Sequence, residues 1–311
     1  MSAPIFVDPI FDGAADPTVI RNEKTRDWWM FYTNRRAGHE GAGAGWIHGS
    51  PIGVAVSADG VTWSYRGTVA GLDDPNDAGL NTHWAPEVIF KRGEYHMYLS
   101  YIPGAPDDFV VFDRHIVHFT SPDLENWTRH ATLPLSSDNV IDAAVAMCPD
   151  GLYRLWYKDE TDGSSTWVAT SPNLYDWTLE ERLIPGSPEG QPHEGPNVFT
   201  LGGIHWLIID EWRGQAVYYS PDMRHWERQG LILDEPGADP MDRSFARHAD
   251  VVVLEDEAAL FYFTHPEWDE AAKPEPETPR ERRTTIHVAR IWVEDGVLKC
   301  TRDVEAVPLP G

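Results

Sequence analysis

The sequence predicts an all-β chain, a five-bladed β-propeller with four antiparallel strands in each blade. Three observations carry that expectation. The 25 glycines, 25 prolines and 14 tryptophans of the 311 residues suit many short strands joined by turns, with aromatic layers between sheets. A cassette of a β-rich run, Ser, a turn and Trp recurs with six residues from Ser to Trp each time, ending at Trp63, Trp127, Trp177 and Trp226. Each cassette is preceded by two further strand-like runs, so a unit holds about four strands.

Taken in order, each unit opens on a short apolar strand: Asp16-Pro17-Thr18-Val19-Ile20, Ala85-Pro86-Glu87-Val88-Ile89, Asp142-Ala143-Ala144-Val145-Ala146 and Gly195-Pro196-Asn197-Val198-Phe199. An aromatic run follows, as in Trp28-Trp29-Met30-Phe31-Tyr32 and Tyr153-Arg154-Leu155-Trp156-Tyr157. The cassette then supplies the third strand and a turn rich in Asp, Asn, Pro and Gly, with Trp opening the fourth. A fifth, degenerate copy contains His248-Ala249-Asp250-Val251-Val252, Leu260 to Thr264 and Ile286 to Arg290. Aligned on Val19, Val88, Val145, Val198 and Val251, the units are spaced 69, 57, 53 and 53 residues apart. Five blades, roughly 8–70, 83–135, 140–185, 194–235 and 246–305, use nearly the whole chain, so residues 1–311 read as one domain. Two long insertions, Asn34 to Ser50 and Glu267 to Thr284, read as loops within blades, the second with the Glu- and Pro-rich composition of a disordered segment.

Fifty acidic against 25 basic residues give a formal net charge of −25. Such a surface repels phosphate backbones and anionic lipid, which argues against nucleic-acid or membrane-surface partners. No run of apolar residues is long enough to span a bilayer, and Met1 to Asp8 show neither a basic nor an apolar leader region, so a cytoplasmic location is expected. Cys148 and Cys300 have no metal-ligand spacing and read as free thiols.

The first strand of each propeller blade lines the axis. The residues three places before the aligned valines are Asp16, Ala85, Asp142, Gly195 and His248, with Glu194 one place earlier in the fourth blade. Asp16, Asp142, Glu194 and His248 are therefore expected to share one small axial site. Asp142 stands out, flanked by Val140-Ile141 and Ala143-Ala144, because burying a carboxyl in an apolar run is costly without partners. Three carboxyls around a cavity suit hydrolysis of a glycosidic bond, where one ionised group draws a proton from water and a protonated one donates to the leaving oxygen. Trp84, beside His83, is the candidate platform for a sugar face; Arg213, His39 and Arg247 are candidate hydroxyl-binding groups.

The order Asp16-Pro17, Trp84-Ala85-Pro86-Glu87, Ile141-Asp142, Glu194-Gly195-Pro196 and Arg247-His248 on a five-blade repeat resembles glycoside hydrolase family 43 and its relatives among the five-bladed-propeller clans. The resemblance implies an inverting glycosidase, exo-acting or acting on oligosaccharides and glycosides, with Asp16 as general base, Glu194 as general acid and Asp142 raising the acid's pKa and orienting it. It also implies that His248 helps hold a Ca2+ ion, mostly through water, in the channel below the substrate; no organic cofactor is expected. Glu87 stands where the family usually has Asp. Two rival readings remain open at this level. One is a non-catalytic sugar-binding propeller. The other is a carbohydrate phosphorylase, which would need basic residues in the pocket beyond Arg213, Arg247, Arg35 and Arg36.

Overall fold

The computed structural model describes residues 4–41, 43–108 and 112–311, so Met1 to Ala3 of the N-terminal stretch read above lie outside it. Among the described residues, twenty strands form five four-stranded antiparallel sheets. The first blade holds β1 (Ala14–Arg21), β2 (Trp28–Asn34), β3 (Ile52–Ser57) and β4 (Ser64–Thr68). The second holds β5 (Thr82–Lys91), β6 (Glu94–Ile102), β7 (His115–Ser121) and β8 (Thr128–Thr132). The third holds β9 (Val140–Met147), β10 (Tyr153–Asp159), β11 (Ser165–Ser171) and β12 (Thr178–Ile184), and the fourth β13 (Glu194–Leu201), β14 (Ile204–Asp210), β15 (Gln215–Ser220) and β16 (Glu227–Ile232). The fifth holds β17 (Arg247–Val253), β18 (Glu257–Thr264), β19 (Thr285–Glu294) and β20 (Val297–Thr301). β1 touches both β5 and β17, and β9 and β13 complete the inner circle, so the sheets close into a five-bladed propeller.

The cassette is a repeated turn. Ser57 Oγ accepts the Gly60 N–H at 2.9 Å, Asp59 Oδ1 accepts from Val61 and Thr62, and Trp63 Nε1 returns a bond to the Gly60 carbonyl. Ser121/Asp123/Trp127 and Ser171/Asn173/Trp177 repeat this arrangement. The residue three after each Ser is left-handed, at φ 73° for Gly60, 68° for Leu124, 75° for Leu174 and 58° for Met223. Holding a leucine there costs on the order of 1 kcal/mol, which the side-chain bonds to its N–H offset. Each Trp immediately precedes a fourth strand, so the indole is carried into the layer between neighbouring blades. In the degenerate blade a tight turn, Asp295-Gly296, with φ 52° and 76°, joins β19 to β20 instead.

The core is five inter-blade layers. Trp63, Phe261, Met30 and Val288 pack between the fifth and first blades; Trp177, Tyr98 and Leu155 between the second and third. Aromatic pairs such as Trp63–Phe261 (6.1 Å, 85°) and Tyr98–Trp177 (5.6 Å, 88°) meet edge to face. Both chain ends clamp the seam where the ring closes. Ile5 N–H donates to the Ile286 carbonyl, and Leu309 N–H to Asp59 O, with Leu309 seated under Trp63. No helix of the described residues is long and apolar enough to cross a membrane.

Candidate active site

The chain reaches the axis through one irregularity repeated five times. Pairing of the inner strand with its neighbour slips between Ala15 and Thr18, Trp84 and Glu87, Glu194 and Asn197, and Arg247 and Asp250, and in β9 between the partners of Trp156 and Lys158. Four of the five bulges hold a left-handed residue: Asp16 (φ 49°), Ala85 (42°), Asp142 (60°) and Gly195 (58°). A bulge re-aims side chains that strict alternation would bury between sheets, and strained non-glycine backbone concentrates at functional sites. Here it turns carboxyl groups from three blades into one cavity of about 580 Å³, lined by Asp16, Asp142 and Glu194. Gly195 is needed for a second reason. A Cβ there would lie 2.6 Å from the His248 ring.

Each carboxyl has a distinct electrostatic setting. Asp16 accepts from the Arg35 guanidinium at 3.2 and 3.3 Å, and Arg35 in turn stacks on Phe263 at 4.7 Å. Asp142 is 4 % exposed and accepts the Gly195 N–H at 3.2 Å. Burial, opposed by the His248 ring and reinforced by the Glu194 charge, pushes its pKa up to about 7. Glu194 goes the other way. Burial works against its charge, but the Lys158 ammonium, 2.9 Å from Oε2, the Trp212 indole and Arg247 hold it down at about 2. His248 Nδ1 sits 3.8 Å from Asp16 and 3.9 Å from Asp142, bridging the two. Asp210, paired across the sheet with Glu194, is likewise pushed up to about 7, by burial first and then by Glu194.

The calcium ion implied near His248 would need six to eight oxygen ligands. The axial carboxylates below His248 are already engaged. Asp250 accepts from the Val19 N–H at 2.6 Å and the Asn197 side-chain amide at 2.8 Å, and Glu87 accepts the Val145 N–H at 2.9 Å. Among the described residues no group of three or more His, Cys, Asp or Glu side chains is arranged to hold a metal. The protein donors alone do not make a calcium site; the ion implied by the resemblance is one held mostly through water, and no chemistry below passes through it.

Of the other residues singled out from the sequence, Trp84 and Arg247 line the cavity. Trp84 is held by a bond from its indole to the Ile47 carbonyl and by His48 stacked at 5.0 Å. Arg247 lies between Phe245 and Trp268, 2.8 Å from Glu270. His83 is buried behind the wall, facing Asp73 and Tyr101. His39 lies in a side cavity with Phe11 and Arg283, and Arg213 in a groove between the third and fourth blades, paired with Glu211.

Arg35, named above among the basic residues near the pocket, also lines the cavity, whereas most of the remaining lining residues were not evident in the sequence. Lys158 ends the buried aromatic run of β10, opposite the bulge at Asp142. The charge closing that run was its signal. Trp46 and Trp268 come from the two insertions, which pack on each other: the Arg282 guanidinium donates to His39 O at 2.9 Å and lies over Trp46. The segment read as disordered in composition is thus a folded wall, whose short helix α1 (Pro279–Arg282) is closed by a Thr278–Glu281 capping box.

Comparison with known proteins agrees with this geometry. The family described as "Probable glycosyl hydrolase domain", a relative of family 43, matches residues 9–254. Among solved structures, a thermostable family 43 glycoside hydrolase superposes with a TM-score of 0.66 at 19% identity, over 98% of this chain and 100% of that one. A family 43 β-xylosidase/α-arabinofuranosidase from a compost microbial metagenome, in complex with xylotriose and in calcium-free form, gives 0.68 at 14% identity over 96% of each chain. A family 43 enzyme from Xanthomonas citri, complexed with xylotriose, gives 0.68 at 16% identity over 96% of this chain and 93% of that one. At these identities the structures speak for the fold, while the family match spans most of the chain. The chain therefore belongs to the family 43-related glycosyl hydrolase domains, a glycosidase on a five-bladed propeller.

Proposed function

We propose that the protein hydrolyses glycosides or short oligosaccharides from one end with inversion at the anomeric carbon, Asp16 acting as general base and Glu194 as general acid. The observation that carries the reading is the convergence of three carboxyls from three blades on one cavity in unequal environments, Asp142 being driven toward its neutral form and Glu194 toward its ionised form. Titratable groups pushed apart in this way supply acid and base on a glycosidic bond. The choice of Glu194 rather than Asp142 as the acid rests on the resemblance carried by Glu194-Gly195-Pro196, since Lys158 holds Glu194 toward its ionised form in the free site. Burial and the Glu194 charge favour the neutral form of Asp142. On this assignment a protonated Glu194 donates to the leaving oxygen while Asp16 takes a proton from the attacking water, so activity falls as Glu194 loses its proton.

The exo character rests on the walls. Trp46 and Trp268 on the two mutually packed insertions, with Trp84 and Trp212, give a sugar ring apolar faces on several sides. Pentose-based substrates are the first choice, because the superposed enzymes are complexed with xylotriose. Phosphorolysis is disfavoured by charge pairing. Arg35, Arg114, Lys158 and Arg247 all line the cavity, but each lies against a carboxylate, Asp16, Glu160, Glu194 or Glu270. A purely sugar-binding role leaves the unequal carboxyls unexplained.

The experiment is a panel of aryl pentosides and hexosides, furanosides included, with the product anomer followed by proton NMR. Turnover that is independent of phosphate and inverts configuration supports the reading. Binding without turnover overturns it in favour of a lectin-like propeller, and a strict phosphate requirement in favour of a phosphorylase. Asp16→Asn and Glu194→Gln should each lower kcat about 10²- to 10⁴-fold, and undiminished rates would remove their assigned roles.

A further inference from the structure

Lys158 is an unusual residue for a cavity wall. It is 4 % exposed, and its ammonium is held on three sides: Glu194 Oε2 at 2.9 Å, Glu160 Oε1 at 3.3 Å and the Trp212 ring at 5.1 Å. Glu160 is anchored from behind by Arg114 at 2.7 Å. The cage therefore runs Arg114–Glu160–Lys158–Glu194 across one wall of the cavity. Lysine's compact charge suits a position shared between two carboxylates, and β10 fixes its stem because Lys158 pairs with Ile141 just where β9 bulges. Its position places a fixed positive charge on the carboxylate that the reading above makes the acid.

We propose that Lys158 is the positioning residue for Glu194, clamping its carboxylate against the cavity wall and deciding, in competition with Glu160, whether the site's proton rests on Glu194 or on Asp142. The inference rests on the assignment of Glu194 as acid for its catalytic consequence, but not for its electrostatic core. The other groups facing Glu194 are Asp142 on β9, Asp210 on β14, Arg247 on β17 and His193 in the preceding segment. Asp142 and His193 also feel the Lys158 charge, so the titration of the Glu194 carboxyl is followed directly.

The test uses two variants with opposite expected signs. Lys158→Met removes the cation, so Glu194 holds its proton to higher pH and the alkaline limb of kcat/KM moves up by at least one pH unit. Glu160→Gln removes the competing carboxylate, leaving the ammonium to Glu194 alone, and moves the limb toward acid by about half a unit. A residue that merely fills space cannot produce opposite shifts. Carbon NMR on protein carrying ¹³C at the glutamate side-chain carboxyl, with the Glu194 signal identified by its loss in Glu194→Gln, reads the same displacement without turnover. Should Lys158→Met fail to fold, Glu160→Gln alone still decides. A limb and a Glu194 titration unchanged within 0.3 pH unit in the folded variants, or shifts of the same sign in both, would overturn the proposal. If the protein turns over no glycoside while the carboxyl titration still moves as expected, the clamp stands and the assignment of Glu194 as acid falls.

Discussion

Replacing Asp142 with Asn should make the protein more stable and less active, and the gain should depend on pH. The carboxyl is buried at the axis, and burial with the nearby Glu194 charge puts its folded-state pKa at about 7, against about 3.9 in an unfolded chain. A carboxyl whose folded pKa is raised costs nothing below the unfolded value. The cost grows as pH rises through the interval and is complete above the folded value. The gap corresponds to about 4 kcal/mol at pH 8, from ~1.4 kcal/mol per pH unit. Because Asp142 shares its charge with Glu194 and Lys158, about 2–4 kcal/mol is the working range. Asn keeps an oxygen to accept the Gly195 N–H and has the same shape, while the charge is gone. At ~2.1 cal/mol/K per residue for the entropy of unfolding, a chain of 311 residues shifts its Tm by about 1.5 °C per kcal/mol, so Asp142→Asn should melt about 3–6 °C above the wild type at pH 8 and level with it near pH 4. Denaturant titrations at the two pH values give the same difference in free energy. A variant less stable than the wild type at pH 8, or one whose advantage is the same at both pH values, would refute the reasoning, since either result means that Asp142 is ionised and well partnered in the fold.

Four further outcomes are expected. The rings of His96, His118 and His130 stack across β6, β7 and β8 under Tyr175, and burial pushes His118 down to about 3. The unfolded chain takes up that proton below about 6.5 and the folded one does not, so this group's contribution is lost as pH falls. His118→Phe should therefore shrink the stability loss between pH 7 and 5 by about 2 kcal/mol in denaturant titrations, and an unchanged loss would count against it. Asp242 accepts from Tyr262 at 2.7 Å and from Arg302 at 3.0 Å, all of them buried. Asp242→Ala leaves Arg302 without its carboxylate and should cost about 3–5 kcal/mol, read by calorimetry. Trp268 covers Arg247 in the cavity wall, so Trp268→Ala should raise KM about tenfold, with kcat within twofold, if the insertion binds substrate in the ground state. Activity and Tm should be unmoved by EDTA or added Ca2+, since among the described residues no three His, Cys, Asp or Glu side chains are arranged as ligands; a Tm increase with Ca2+ would show an ion held mostly through water beside His248.

The sequence by itself determined the repeat. The Ser-to-Trp cassettes define turns by local chemistry, each Ser and Asx side chain bonding to backbone two or three residues on, so Trp63, Trp127, Trp177 and Trp226 could be placed without tertiary information. Period and strand count then gave five blades, and the first strands pointed to Asp16, Asp142 and Glu194. Beyond Trp84, Arg247 and Arg35, what lines the cavity beside them was decided by the tertiary structure. Lys158, Glu160 and Trp212 lie at the ends of second strands or just beyond, and which of those ends reaches the cavity depends on bulges that no local pattern announced. The insertions read as loops became walls because Arg282 and Trp46, over 200 residues apart, meet only when the ring closes. Protonation followed the same rule. The apolar run around Asp142 announced an unusual carboxyl, but Asp142 and Glu194 separate because charge energies depend on burial and on an ammonium 2.9 Å from Glu194, quantities that exist only after folding.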